Sequence, residues 1–268
     1  MKLVRFEDKV LEPKALVFFD LDGTLLNNHS ELDQDVIEAL EKLKVNGGVP
    51  FISTGRSHLQ VEHVLKETAI DSFISLNGQY IQYEGQDIYE GIFDQSLLDR
   101  IQSKVEETDI SVAYYSKDGF RITRKDKNST EAYEFIHTEV PKVDQEYKNH
   151  HEILMALLFT ENTTLDAEFL EEFPELSFYR NSPFSIDTIL KENSKAIGIN
   201  RLVNKLGFEE IPTYAFGDGP NDLEMLKEVD YSVAMENGTA EVKAVADYIA
   251  KSNINGGIVD GLKHFGLI

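Results

Sequence analysis

The sequence contains no cysteine, which removes disulfides, thiolate nucleophiles and thiolate metal ligands from consideration. It also has no apolar run long enough to cross a bilayer. Ala15–Phe19 and Ile153–Phe159 are its longest, against the ~20 residues a spanning helix needs. The first dozen residues mix charged and apolar types (Lys2, Arg5, Glu7, Asp8, Lys9, Glu12) and lack the continuous apolar stretch of a signal peptide. These absences predict a cytoplasmic protein. Positive charge is scarce: 26 Lys and Arg face 48 Asp and Glu, a net charge of −22. Such a surface repels polyanions, so neither nucleic acid nor an anionic membrane is expected as a partner. Internal repeats and low-complexity segments are missing as well. What remains is a chain of 268 residues, 41% hydrophobic and 28% charged, with room for one large domain or two modest ones.

Two rhythms alternate along it. Residues 15–19 read as a buried strand, 33–43 as an amphipathic helix stopped by Gly47 and Gly48, and 49–53 as a second strand. A helix over 58–68 and a third strand over 72–76 follow, the pattern of a parallel sheet wound with helices. After Asn77 and Gly78, hairpin signals appear around residues 84–87 and 117–119, with helices near 97–107, 130–138 and 164–173 and strands at 153–160, 176–179 and 184–189. Strands joined by tight turns imply a partly antiparallel module. From Ser194 the first rhythm returns, with a helix over 195–206 and a strand over 213–216. The expected organisation is a core in two parts, 1–79 and 189–268, interrupted by an α+β domain over 80–188.

Ligands of wound parallel sheets bind beyond the carboxyl ends of the strands. The first strand exits into Asp20-Leu21-Asp22-Gly23-Thr24, the second into Thr54-Gly55-Arg56, the third into Asn77-Gly78. The strand ending near Phe216 exits into Asp218-Gly219-Pro220-Asn221-Asp222. Carboxylates converging from distant exits repel unless a cation lies among them. An all-oxygen donor set suits Mg²⁺, which would also let so acidic a protein hold a phosphate. Glycines allow backbone amides to approach phosphate oxygens, and a helix opening after Thr54 aims its amino end the same way. Asp20 and Asp22 suit phosphoryl transfer, one carboxylate attacking phosphorus and the other moving the proton.

With these motifs in this order, the chain resembles the haloacid dehalogenase (HAD) superfamily, specifically Cof-type phosphatases with the larger C2 cap (subclass IIB). The resemblance implies a Rossmann-like wound core with an inserted α+β cap that closes over the substrate. It implies a Mg²⁺-dependent phosphatase that hydrolyses small phosphorylated metabolites, sugar phosphates or phosphorylated cofactors, through an aspartyl-phosphate. Asp20 is then the nucleophile and Asp22 the general acid/base. Thr54, Gly55, Lys195 and Asn221 hold the phosphate. The metal is bound by Asp20, the Asp22 backbone carbonyl and Asp218, with Asp222 a ligand or a support behind one. The chain departs from the family at Leu190 and Glu192, where Pro and Gly are frequent, and at Ala196 and Gln79. A sugar phosphomutase of the same superfamily and a non-catalytic phosphometabolite-binding protein are the alternative readings.

The remaining candidates weigh against plainer roles. Arg56 is as consistent with a helix-start ion pair as with a phosphate contact, and Asn77 with a turn as with a substrate contact. Gly78 shares that exit. Arg180 falls in a cap loop, as suited to a solvated turn as to substrate. The pair His150-His151 lies in a polar loop, and adjacent residues do not face a common ligand, so neither is expected to bind metal.

Overall fold

A computed structural model describes residues 4–6, 9–11, 13–68 and 70–268. The chain forms two compact units: one holds residues up to Ile88 and from Ser194 onward, the other Tyr89–Asn193. A short antiparallel ribbon, β1 (Val4–Phe6) with β2 (Lys9–Leu11), precedes the main body.

In the first unit the chain runs β3 (Ala15–Phe19), α1 (Gln34–Val45), β4 (Gly48–Ser53), α2 (Glu62–Thr68), β5 (Phe73–Ser75), β6 (Tyr80–Tyr83) and β7 (Gln86–Glu90). β3 is buried at every position, as expected of a central strand covered on both faces. Phe18 stacks on Phe51 and Phe19 packs with a tilt against Phe216, each pair with centroids 4.9 Å apart. Each such side chain contributes ~1.5–3 kcal/mol by leaving water. The segment 58–68, expected to be one helix, begins as a 3-10 turn, His58–Gln60, capped by Ser57.

The second unit contains α3 (Gln95–Glu107), β8 (Ser111–Ser116), β9 (Phe120–Ile122), α4 (Lys127–Phe135), β10 (Ile153–Phe159), α5 (Thr164–Glu172), β11 (Leu176–Ser182) and β12 (Ser185–Leu190). Its antiparallel sheet has the order β11-β12-β10-β8-β9. Helices α3 and α5 close a core of Leu98, Ile101, Leu158, Phe169 and Phe173. The Lys104 ammonium lies 3.2 Å from Glu172 and 3.6 Å from Glu168, tying the two helices.

The chain returns to the first unit through α6 (Lys195–Leu206), β13 (Thr213–Gly217), α7 (Leu223–Glu228), β14 (Tyr231–Met235), α8 (Ala240–Val245), β15 (Tyr248–Ala250) and α9 (Gly257–His264). The eight-stranded sheet has the order β15-β14-β13-β3-β4-β5-β6-β7. From β3 the sheet grows through β4 and β5 on one side, while β13, β14 and β15 build the other. The direction of winding therefore reverses between β3 and β13, which pair in parallel from Thr213 opposite Leu16 to Phe216 opposite Phe19. A crevice beyond the carboxyl ends of such neighbours is where doubly wound sheets bind ligands.

Two further sequence expectations differ from this description. β6 adds to the core sheet, pairing Ser75 with Tyr80 and Ile74 with Ile81, so residues 80–88 group with the first unit, whereas the insert was expected to begin at residue 80. The hairpin of β6 and β7 forms as expected, but it extends the core sheet through β5 and does not open the inserted module. Residues 180–182, read as a loop, continue β11, with Ser182 opposite Ser185.

Candidate active site

The reversal brings the exits of β3 and β13 side by side. The Asp20 amide donates to the Phe216 carbonyl (3.0 Å), which starts the acidic turn at the end of the strand. That turn is wide: Leu25 N donates to Asp20 O (3.2 Å) and Leu26 N to Leu21 O (2.9 Å). Gly23, at φ +78°, allows it, and a Cβ there would collide with Asp218 Oδ2. Glycine is therefore required twice over, for the left-handed backbone and for the approach of the second carboxylate. Thr24 Oγ1 completes the contact, donating to Asp218 Oδ1 (3.3 Å).

Carboxylate oxygens of Asp20, Asp218 and Asp222 lie within 4.8 Å of one another. Burial and then the Asp222 carboxylate push Asp20 well above the usual range. The same two causes push Asp218 up to about 7. The Lys195 ammonium, wholly buried, lies 2.5 Å from Asp20 Oδ1 and 2.7 Å from Asp222 Oδ1. Burial alone would lower its pKa, but Asp20 and Asp222 outweigh that and raise it, so it remains a fixed cation. One ammonium does not balance three carboxylates, and the cluster suits a further, divalent cation with an oxygen preference.

Asp222 is tied on both sides. Its Oδ1 accepts from Lys195, and its Oδ2 accepts from the amides of Asp218 and Gly219, each at 2.9 Å. A Cβ on Gly217 would lie 2.6 Å from the Asp222 Cβ, so this glycine lets the Asp222 side chain fold back under the turn. Asp222 thus organises the β13 exit and the lysine, while Asp20 and Asp218 retain oxygens for an ion.

Thr54 is buried; its amide donates to Ile74 O (2.9 Å), and its Oγ1 accepts from the Arg56 amide (3.1 Å) across the turn at Gly55. The hydroxyl proton of Thr54 is thereby left for another acceptor. Asn77, at φ +52°, accepts from Asn221 Nδ2 (3.0 Å) through its Oδ1, so the β5 and β13 exits also meet. Gly78 faces the backbone of Ser194, where a Cβ would collide with its carbonyl. It lets the amino end of α6, and with it Lys195, come close. Ser194 caps that helix, its Oγ accepting from Ile197 N (3.3 Å).

Arg56 pairs with Asp22 through two hydrogen bonds, Nε to Oδ2 at 2.7 Å and Nη2 to Oδ1, and Nη2 also donates to Ser30 Oγ (3.2 Å). The expected helix-start ion pair has a partner across the site. Arg180, in the other unit, is held by Asp166 and donates to the Thr160 carbonyl (2.7 Å). His151 stacks on Tyr147 with centroids 4.0 Å apart. Sequence reasoning missed Ser30, Asn237 and Asn253, which contact the acidic turn or its ion pairs, and placed Thr24 in the first strand exit without a role. The strand-exit test would have reached Asn237, two residues past β14, had it been carried to that strand.

A doubly wound core thus carries acidic exits and a buried lysine at its switch point, with a buried threonine at the neighbouring β4 exit, an arrangement suited to phosphoryl transfer. The profile of the haloacid dehalogenase-like hydrolases matches residues 17–262, and the chain belongs to that family, among its phosphatases. It is 33% identical to "Putative phosphatase YkrA" of Bacillus subtilis, covering 94% of this chain and 98% of that protein. It is 28% identical to the 5-amino-6-(5-phospho-D-ribitylamino)uracil phosphatase YcsE of the same organism, covering 94% and 96%. Among solved structures, one described as the HAD subclass IIB sugar phosphatase BT4131 superposes with a TM-score of 0.85 at 28% identity, covering 94% of this chain and 99% of the other.

Proposed function

We propose that the protein is a cytoplasmic, Mg²⁺-dependent phosphatase that hydrolyses small phosphate monoesters through a phosphoryl group carried on Asp20. The observation that carries this reading is the buried cluster of Asp20, Asp218 and Asp222 around one lysine. Asp20, the Asp22 backbone carbonyl and Asp218 would hold Mg²⁺, with Asp222 fixing both Lys195 and the Asp218 loop behind them. When bound, the ion neutralises charge on the transferring phosphoryl group.

Asp20 attacks phosphorus, and the P–O bond to the leaving alcohol breaks. The Lys195 ammonium and Thr54 hydroxyl, with the amide at Gly55 and the Asn221 side chain, bind the phosphoryl oxygens. Asp22 gives a proton to the departing alkoxide and then takes one from the water that hydrolyses the aspartyl-phosphate, releasing inorganic phosphate and restoring Asp20. Arg56, bonded to both Asp22 oxygens, fixes the direction of that carboxylate. Sugar phosphates and phosphorylated cofactor precursors are the expected substrates, the classes named for the sugar phosphatase and the ribitylaminouracil phosphatase among its relatives.

The test is phosphate release from a panel of phosphorylated sugars and cofactor precursors, with Mg²⁺ and with chelator. Metal-dependent release, reduced at least ~10³-fold in Asp20→Asn, is expected. Equal release in that variant would remove the nucleophile and the reading with it. Exchange of phosphate between sugar positions without release would make the protein a mutase.

A further inference from the structure

The carboxyl-terminal stretch reaches back to the acidic turn through two asparagines. Asn237 Nδ2 donates to the Gly23 carbonyl (2.8 Å), and Asn237 Oδ1 accepts from the Asn253 amide (3.0 Å). Asn253, which is buried, donates through Nδ2 to the Leu26 carbonyl (2.8 Å). The carbonyls at the middle and end of the turn are thus both held by residues more than 200 positions away in sequence. The other side of the β14 exit grips the second acidic loop. The Thr239 amide donates to the Asp218 carbonyl (2.9 Å), and a Cβ on the intervening Gly238 would lie 3.0 Å from Asp218 Cα. With Thr24 Oγ1 on Asp218 Oδ1, these bonds close a circuit: Gly23 to Asn237, through Thr239 to Asp218, and back to Thr24.

We propose that Asn237 and Asn253 are positioning residues that set the spacing between the Asp20–Asp22 turn and Asp218, and through it the affinity of the site for a divalent cation. The proposal rests on the metal-dependent reading above. Asn237 is exposed, so its loss removes little of the burial that holds the fold. Its bond falls one peptide beyond the Asp22 carbonyl, and Thr239 holds the peptide of Asp218 itself. A bond of modest strength placed there acts on geometry more than on stability, because displacement of a ligand by a fraction of an ångström degrades octahedral Mg²⁺ binding. Asp22 is the residue next to the held Gly23 carbonyl, so the circuit also bears on the direction of the carboxylate proposed to protonate the leaving group.

The test is Asn237→Ala, measured in two ways. Thermal unfolding in chelator, then in rising Mg²⁺ without substrate, reads metal binding directly; phosphate release against Mg²⁺ concentration reads it in turnover. The variant should unfold within about 3 °C of the parent in chelator, yet need roughly tenfold more Mg²⁺ for half its stabilisation and half its activity. Asn237→Gln, which keeps the amide at a longer reach, should fall between. A variant whose Mg²⁺ response in both measurements matches the parent would overturn the brace while leaving the phosphatase reading intact. A parent protein with no Mg²⁺ response in either would remove the metal-dependent reading and the brace together. A variant that loses stability in chelator but keeps the parental Mg²⁺ midpoint would make the asparagines structural only.

Discussion

Replacing Lys195 with methionine keeps the length of the side chain and deletes the charge among three carboxylates. In the parent the ammonium is fully buried between Asp20 and Asp222, at 2.5 and 2.7 Å. Removing one partner of such a pair costs about 3–5 kcal/mol, because the charges left behind are neither solvated nor balanced. The protein can limit that cost by protonating a carboxylate. Asp20 already sits above its usual range, and the loss of Lys195, which lowers it, moves it higher still. Taking up a proton at pH 7.5 by an acid of ordinary pKa near 4 costs about 5 kcal/mol, and at pH 5.5 about 2 kcal/mol. The deficit should therefore shrink between these two values, by up to about 2.7 kcal/mol for each proton the variant takes up beyond those the parent binds. Urea unfolding in chelator, followed by far-UV circular dichroism because the chain has no tryptophan, measures it at both. Phosphate release should fall about 10²–10³-fold, the usual effect of removing one charge-stabilising group from a reacting centre. A Lys195→Met protein as stable as the parent at pH 7.5, or with a deficit indifferent to pH, would refute the charge accounting offered for the cluster.

Two further outcomes follow from the same geometry. The Asp218 carboxyl, raised to about 7 by burial and Asp222, is protonated more tightly in the folded chain than in the unfolded one. The metal-free protein should thus lose stability as pH rises from about 4 to 7, since the unfolded state gives up its proton first. Mg²⁺ requires the ionised form, so the rise in Tm that it produces should grow between pH 5 and 8 in calorimetry; an equal shift at both ends would contradict this. Gly23→Ala places a Cβ against Asp218 Oδ2 in a left-handed backbone. It should cost at least ~1–2 kcal/mol and raise the half-saturating Mg²⁺ concentration tenfold or more, read by metal titration of the thermal transition.

Much of the fold is legible because its signals are local. The strand over residues 15–19 and the helix over 195–206 match the observed β3 and α6, one a continuous apolar run and the other an amphipathic stretch opened by a capping serine. The strand exits point to Asp20, Asp22, Thr54 and Asp218, while Lys195, at a helix start, is singled out only by the family resemblance. β15 and α9 went unread: β15 is three residues long and half exposed, and periodicity has little to act on there. Asn237 and Asn253 went unread with them, because an asparagine in a loop looks alike whether it caps a turn or braces a distant one.

The sequence by itself determined which chemistry is available: oxygen ligands without sulfur, paired aspartates at a strand exit, one lysine at a helix start, and too little positive charge to hold phosphate unaided. Tertiary structure alone decided which of those groups meet. The winding reverses between β3 and β13, and that reversal places Asp20 beside residues almost two hundred positions away. It also gave Asp222 to Lys195 and to the amides of Asp218 and Gly219, and gave Arg56 to Asp22. Such pairings depend on how closely two loops approach. That approach is set by the packing of the sheet and by the glycines that permit contact, and no short motif encodes it.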